Sequence, residues 1–124
     1  VIGTERLILK AFLPFTVPES LGNIYEYRHY TTKNGKAEAW SKLFSNALPV
    51  RKRYGLPICA WITKFGNTNE VSHLWCFKNL EERLALRAQA AADAEWQEFA
   101  KIGGELLCTM SSCVMIPYVH SPLR

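Results

Sequence analysis

Residues 58–77 read ICAWITKFGNTNEVSHLWCF, and this stretch decides the fold. Two runs rich in β-branched and aromatic residues, 58–65 and 70–77, flank Gly66-Asn67-Thr68-Asn69. The four central residues are turn formers: glycine tolerates positive φ, and asparagine bonds its own backbone. Two strand-like runs joined by so short a connection predict an antiparallel hairpin.

Upstream of the hairpin, residues 36–53 predict a helix. Ala37, Trp40, Leu43, Phe44, Ala47 and Leu48 recur at the spacing of one apolar helical face. Pro49 lacks the amide that a helix interior needs, so a kink or interruption is expected there. Gly55 is placed to stop the helix. Before the Asn34-Gly35 turn, residues 23–31 (NIYEYRHYT) are β-rich and short enough for a strand. Downstream, Asn79 is positioned to cap a helix from Leu80 to about Ala92, with Glu81 and Glu82 where the helix dipole favours acids. Asp93 is positioned to cap a shorter helix, 94–102, ended by Gly103-Gly104. A last strand, 107–116, is closed by Pro117.

The order β-α-β-β-α-β is the ferredoxin-like α+β arrangement, a four-stranded antiparallel sheet with helices on one face. Residues 1–22 stand apart as an extended arm punctuated by Pro14, Pro18 and Gly22, leaving 23–124 as the domain. Leu7, Ile8, Leu9, Phe12, Leu13 and Phe15 make this arm apolar, so it is expected to lie on something, as a docking strap onto a larger assembly.

Helices on one side leave the other face of the sheet to water, and that face should then be polar. The strands read otherwise. Tyr25, Tyr27 and His29 oppose Ile24, Glu26, Arg28 and Tyr30; Cys59, Trp61, Thr63 and Phe65 oppose Ile58, Ala60 and Ile62. Val71, His73, Trp75 and Phe77 oppose Ser72, Leu74 and Cys76. Large apolar groups on both sides call for a second layer. A second sheet of the same kind supplies it most simply, as a dimeric α+β barrel formed by a homodimer or with another barrel domain.

A chain of 124 residues is one domain by length. A net charge of +4 is too small for a dedicated nucleic-acid binder, so nucleic acid is not an expected partner. No apolar run approaches the ~20 residues of a membrane-spanning helix. A chain that opens on Val1 is expected to be a processed product or a piece of something longer. Cys59, Cys76, Cys108 and Cys113 form no CxxC pair, and no zinc site is completed by the histidines. Four buried, reduced thiols in a reducing compartment are expected.

No catalytic, metal or cofactor set emerges. No Ser or Cys sits in an elbow motif, and no nucleophile–base–acid set is visible. The helices carry no histidine: His29 and His73 fall on strands and His120 in the tail. His73 reads as a buried histidine with one hydrogen-bond partner, and Glu26 with Arg28 as an ion pair inside the barrel. Candidate barrel-interior or interface residues are thus Tyr25, Glu26, Arg28, Trp61, His73 and Trp75. With Trp40 and Trp96, the two tryptophans in that set read as core or interface anchors. Arg51, Lys52 and Arg53 are a candidate basic patch, complementing a helix end by default and an anionic lipid, RNA or acidic partner otherwise.

These residues resemble a known family, the NIPSNAP domains. The likeness runs through Tyr25, Glu26, Arg28 and Tyr30 (Y-E-x-R-x-Y), Gly35 and Lys36, then Arg51, Arg53, Tyr54 and Gly55. It continues through Trp61, Gly66, Asn69, Val71, His73, Leu74 and Trp75, Leu80 and Arg83, and Asp93, Trp96 and Phe99. The ending MIPYVHSPLR looks like that of the family's two-domain members. Two departures stand out: one such domain is present, and Phe77 replaces the usual Tyr. The resemblance implies a dimeric α+β barrel without an established reaction, and mitochondrial residence in the matrix or on the matrix side of the inner membrane. The expected role is that of a non-catalytic interaction or scaffold protein needing no cofactor, an accessory subunit of a larger, inner-membrane-associated complex, with peripheral membrane association. A small-ligand-binding or monooxygenase-like barrel is the alternative that the wider superfamily implies, and an RNA-associated subunit a third.

Overall fold

A computed structural model of the chain describes residues 9–13 and 15–123. One antiparallel sheet has strand order β1-β3-β4-β2-β5. Its strands are β1 (Leu9–Leu13), β2 (Ile24–Thr32), β3 (Leu56–Thr63), β4 (Glu70–Phe77) and β5 (Leu107–Met115). Three helices, α1 (Ala37–Arg51), α2 (Leu80–Ala92) and α3 (Ala94–Gly104), lie on one face, and a 3-10 turn (Lys52–Tyr54) follows α1. The βαββαβ order therefore holds.

The sheet has five strands rather than four. The extra one comes from the arm, where Leu9 pairs with Thr63 and Ala11 with Trp61 along the edge of β3. A register shift between Ala11 and Leu13 lets both Phe12 and Leu13 pack on the helix side. Thr16 extends the edge by donating its N–H to the Ile58 carbonyl at 2.8 Å. The arm is thus part of the domain over these residues, because an apolar segment beside an unpaired edge satisfies both needs at once. The arm residues Leu7 and Ile8 lie outside the described residues.

Pro49 does not interrupt α1, which continues to Arg51. It lies in the last turn, where the helix gives way to the 3-10 turn, so little regular helix remains for it to disrupt. Asn79 Oδ1 accepts from the Glu82 N–H at 2.8 Å, and Asp93 Oδ1 accepts from the amides of Glu95 and Trp96. Asn79→Ala should lower stability by about 1 kcal/mol. Urea unfolding of the full chain checks this, and an unchanged midpoint would mean that α2 does not depend on its cap.

The main core sits between sheet and helices. Trp40 and Phe44 of α1 stack with ring centroids 5.0 Å apart, above Tyr30, Ala60, Ile62, Val71, Trp75 and Phe77 of the strands. A smaller cluster, Tyr25, Ile58 and Cys76, lies apart from it, with Leu123 of the tail packed against it. All four cysteines are free, but not all are buried: Cys108 and Cys113 are exposed on β5. That strand lies at the sheet edge and has no strand on its outer side.

Candidate functional site

Between the sheet and the helices lies a cavity of about 220 Å³. Trp40 and Phe44 of α1, Trp75 of β4 and Trp96 and Phe99 of α3 form apolar walls, while Arg28, Arg51, Arg87 and His73 supply its polar lining. Ala90, Ala100 and Gly103 leave the space that larger side chains would fill. At Gly103, a Cβ would come within 3.5 Å of Trp40 Nε1.

The charge balance around this cavity is uneven. Glu26, only 1% exposed, accepts from Arg83 Nη2 at 2.5 Å, from Arg28 Nη1 at 3.2 Å and from the Ser112 hydroxyl. Arg87 Nη1 stands 3.7 Å from its other oxygen. Burial pushes the Glu26 carboxyl up, but the hydrogen bonds of Arg83 and Ser112 and the charge of Arg28 outweigh it and hold the pKa at about 2. Arg51 is 5% exposed, donates to the Tyr54 carbonyl at 2.6 Å and lies 4.5 Å over the Trp75 ring. Burial first, then the charges of Arg87 and Arg28, bring its pKa down to about 10. Four guanidinium groups, of Arg28, Arg51, Arg83 and Arg87, thus gather around one carboxylate.

His73 is enclosed by Tyr30 and Phe44, with ring centroids 5.0 and 5.1 Å away. Burial and then the charge of Arg28 lower its pKa to about 3, so the ring is neutral at pH 7. Trp75 Nε1 lies 2.5 Å from His73 Nδ1. An indole N–H can only donate, so Nδ1 accepts and the ring proton sits on Nε2. That Nε2 is buried and has no hydrogen-bond partner.

The opposite face of the sheet carries a different group. Ser72 Oγ lies 3.0 Å from His29 Nδ1 and 3.2 Å from the Tyr27 hydroxyl, and His29 Nε2 lies 3.7 Å from Glu70. Serine, histidine and carboxylate thus meet in outline, although no motif announces them. Ser72 sits within β4, paired on both sides, so the amides around it serve the ladder. Without free amides to receive a developing oxyanion, the arrangement pins these side chains together and offers no acyl-transfer geometry.

The residues singled out in the sequence divide between these regions. Glu26, Arg28, His73 and Trp75 lie on the helix side, and Tyr25 and Trp61 on the open side. The Glu26–Arg28 ion pair therefore forms under α2, away from the face open to a second sheet. Arg51, Lys52 and Arg53 make no common surface patch. Arg51 is buried at the cavity, Lys52 is exposed, and Arg53 pairs with Asp93 at 3.3 Å and Glu95 at 3.6 Å. A 3-10 turn points successive side chains in different directions, so neighbours in sequence part company. Sequence reasoning missed the convergence of Arg83 and Arg87 on Glu26. Their i, i+4 spacing on α2 was the available signal. Among the described residues, no three His, Cys, Asp or Glu side chains group as metal ligands, and no helix is long and apolar enough to cross a membrane.

Comparison with known proteins accounts for this architecture. A NIPSNAP structure from Agrobacterium tumefaciens superposes with a TM-score of 0.80 at 26% identity, covering 90% of this chain and 99% of that one. A putative antibiotic biosynthesis monooxygenase from Nitrosomonas europaea, 7% identical, shares the fold alone, with a TM-score of 0.62 over 85% of this chain and 99% of its own. NipSnap homolog 1 of Danio rerio is 33% identical over 97% of the chain, which spans 43% of that relative's length. With the NIPSNAP profile matching residues 25–122, the chain belongs to the NIPSNAP family.

Proposed function

We propose that this domain is a non-catalytic interaction module of mitochondria, closing its open sheet face and β5 against a second domain of the same type. The observation that carries this reading is β5 itself. Eight of its nine residues are exposed, including Met110, Val114 and Met115. An apolar edge strand of this length left bare in water invites pairing with another chain. Beside it, Tyr27 and Trp61 lie 6.0 Å apart on a face that no helix covers. A second domain of the same type is the favoured occupant because the chain spans less than half the length of NipSnap homolog 1, leaving that relative room for another such unit.

Further apolar groups support a role within a larger assembly at the inner membrane. Leu80 and Leu84, one turn apart on α2, are exposed, as are Ile116, Tyr118 and Val119 of the tail. The non-catalytic reading rests on the chemistry of the site: among the described residues, the Ser72–His29–Glu70 group sits in a strand paired on both sides, and the buried His73 is neutral.

Native mass spectrometry of the full chain should give twice its 14.1 kDa mass, and Met115→Asp, on the open face opposite Tyr25, should return it to the monomer. A monomer with slowly exchanging β5 amides would end the pairing reading. Co-migration of the native protein with a large complex in mitochondrial extracts would support the assembly; migration only at the dimer mass would remove it.

A further inference from the structure

We infer that the cavity between sheet and helices is a binding site for a small aromatic carboxylate. The first argument is charge. Arg28, Arg51 and Arg87 all line the space, whereas Glu26, the carboxylate that answers them, does not. It is taken up by Arg83, Arg28 and Ser112. Burial first, and then the charges of neighbouring arginines, lower the pKa values of Arg51 and Arg87, so each cation here is costly to keep charged. An anion entering the cavity relieves that cost, and guanidinium groups bind carboxylates through paired N–H donors.

The second argument is an unanswered donor. Buried polar groups are nearly always hydrogen-bonded, and an exception needs an explanation. His73 lines the cavity, is 4% exposed, and carries its proton on the partnerless Nε2. Its orientation is held by Trp75, so the donor cannot turn away without breaking that bond. An acceptor atom on a ligand would complete it.

Shape supplies the rest of the ligand. The other walls are aromatic: Trp40, Phe44, Trp75, Trp96 and Phe99. A cavity of about 150 Å³ lined by apolar side chains admits benzene. One of about 220 Å³ has room for a ring with a carboxyl group attached. Bare phosphate would leave the aromatic walls unfilled, and a neutral ring would leave the cations unanswered. Arg87 and Met110, both partly open to solvent, mark the mouth beside β5. The body of the site lies on the helix side of the sheet, opposite the open face proposed for pairing, and the two regions meet at Met110 of β5.

Tryptophan fluorescence and calorimetry on the full chain test the inference with benzoate, phenylacetate, benzyl alcohol and inorganic phosphate. At least one of the two acids should bind saturably, and benzyl alcohol and phosphate about tenfold more weakly or not at all. Arg87→Gln, a partly exposed position, should weaken the acid about tenfold while leaving the melting temperature near wild type. Ala90→Leu, which fills the space, should abolish binding in protein that still melts cooperatively. The inference fails if neither acid binds, or if benzyl alcohol or phosphate binds as tightly. It fails equally if folded Arg87→Gln or Ala90→Leu protein binds the acid as wild type does. A protein that is monomeric yet binds the acid would overturn the pairing reading alone.

Discussion

Glu26→Ala should cost about 3–5 kcal/mol of stability at pH 7, the usual penalty for removing one partner from a buried ionic group. The reason lies in what remains. With the carboxylate gone, Arg83 loses its acceptor, Arg28 is left with the Tyr30 hydroxyl, and Arg87 and Arg51 lose a nearby negative charge. A domain of this size holds ~5–15 kcal/mol in total, so the variant should sit close to unfolding. Urea denaturation of the full chain measures the effect. A change below about 1 kcal/mol would show that the cluster relaxes into solvent and is not held together by its acid.

The same group sets an acid dependence whose sign follows from its shift. The folded pKa of Glu26 is depressed, from 4.5 to about 2. Its contribution is therefore complete above pH 4.5 and is lost as pH falls toward 2. That difference amounts to about 3 kcal/mol. Glu26→Gln should flatten most of the fall, leaving a smaller slope from Glu38 and Asp93, whose carboxyls are also held low by hydrogen bonds, from Lys64 and Tyr54 respectively. An acid slope unchanged in Glu26→Gln would place the acid-sensitive group elsewhere.

Removing residues 1–18 should unfold or aggregate the domain. The deletion takes away β1, and with it Leu13, which is 8% exposed in the core, and Phe12, whose ring meets Phe44 at 5.9 Å and Trp40 at 6.4 Å. Loss of these two side chains alone is worth about 4 kcal/mol. It also strips the β1 ladder and the Thr16–Ile58 bond from β3, leaving a bare edge. Circular dichroism and light scattering on the truncated protein provide the check. A soluble, cooperatively melting product would mean that β1 is an accessory strand after all.

Particular residues show how much was legible in sequence. The 66–69 turn, the caps at Asn79 and Asp93 and the apolar stripe of α1 are local signals, and each marks an element the structure contains. Strand alternation also sorted Tyr25, Tyr27 and His29 from Glu26, Arg28 and Tyr30, because side-chain period in a strand is two whatever the surroundings. The burial of Arg51 was not legible. An arginine among Lys52 and Arg53 reads as surface, and only the approach of Trp75 and Trp96 to its guanidinium makes an interior place for it.

By itself, then, the sequence determined the βαββαβ order, the two faces of β2 and β4 and the family, since all three depend on spacing along the chain; on β3 the bulge beside Cys59 sends Ile58 to the Tyr25–Cys76 cluster, apart from Ala60 and Ile62. Tertiary structure alone decided that Leu9–Leu13 is a fifth strand, that three arginines from β2 and α2 share Glu26 with Arg51 of α1 nearby, and that His73 keeps a buried donor without an acceptor. Each of these is a meeting of groups far apart in sequence. Periodicity says which way a side chain faces; the packing of distant elements decides what it finds there.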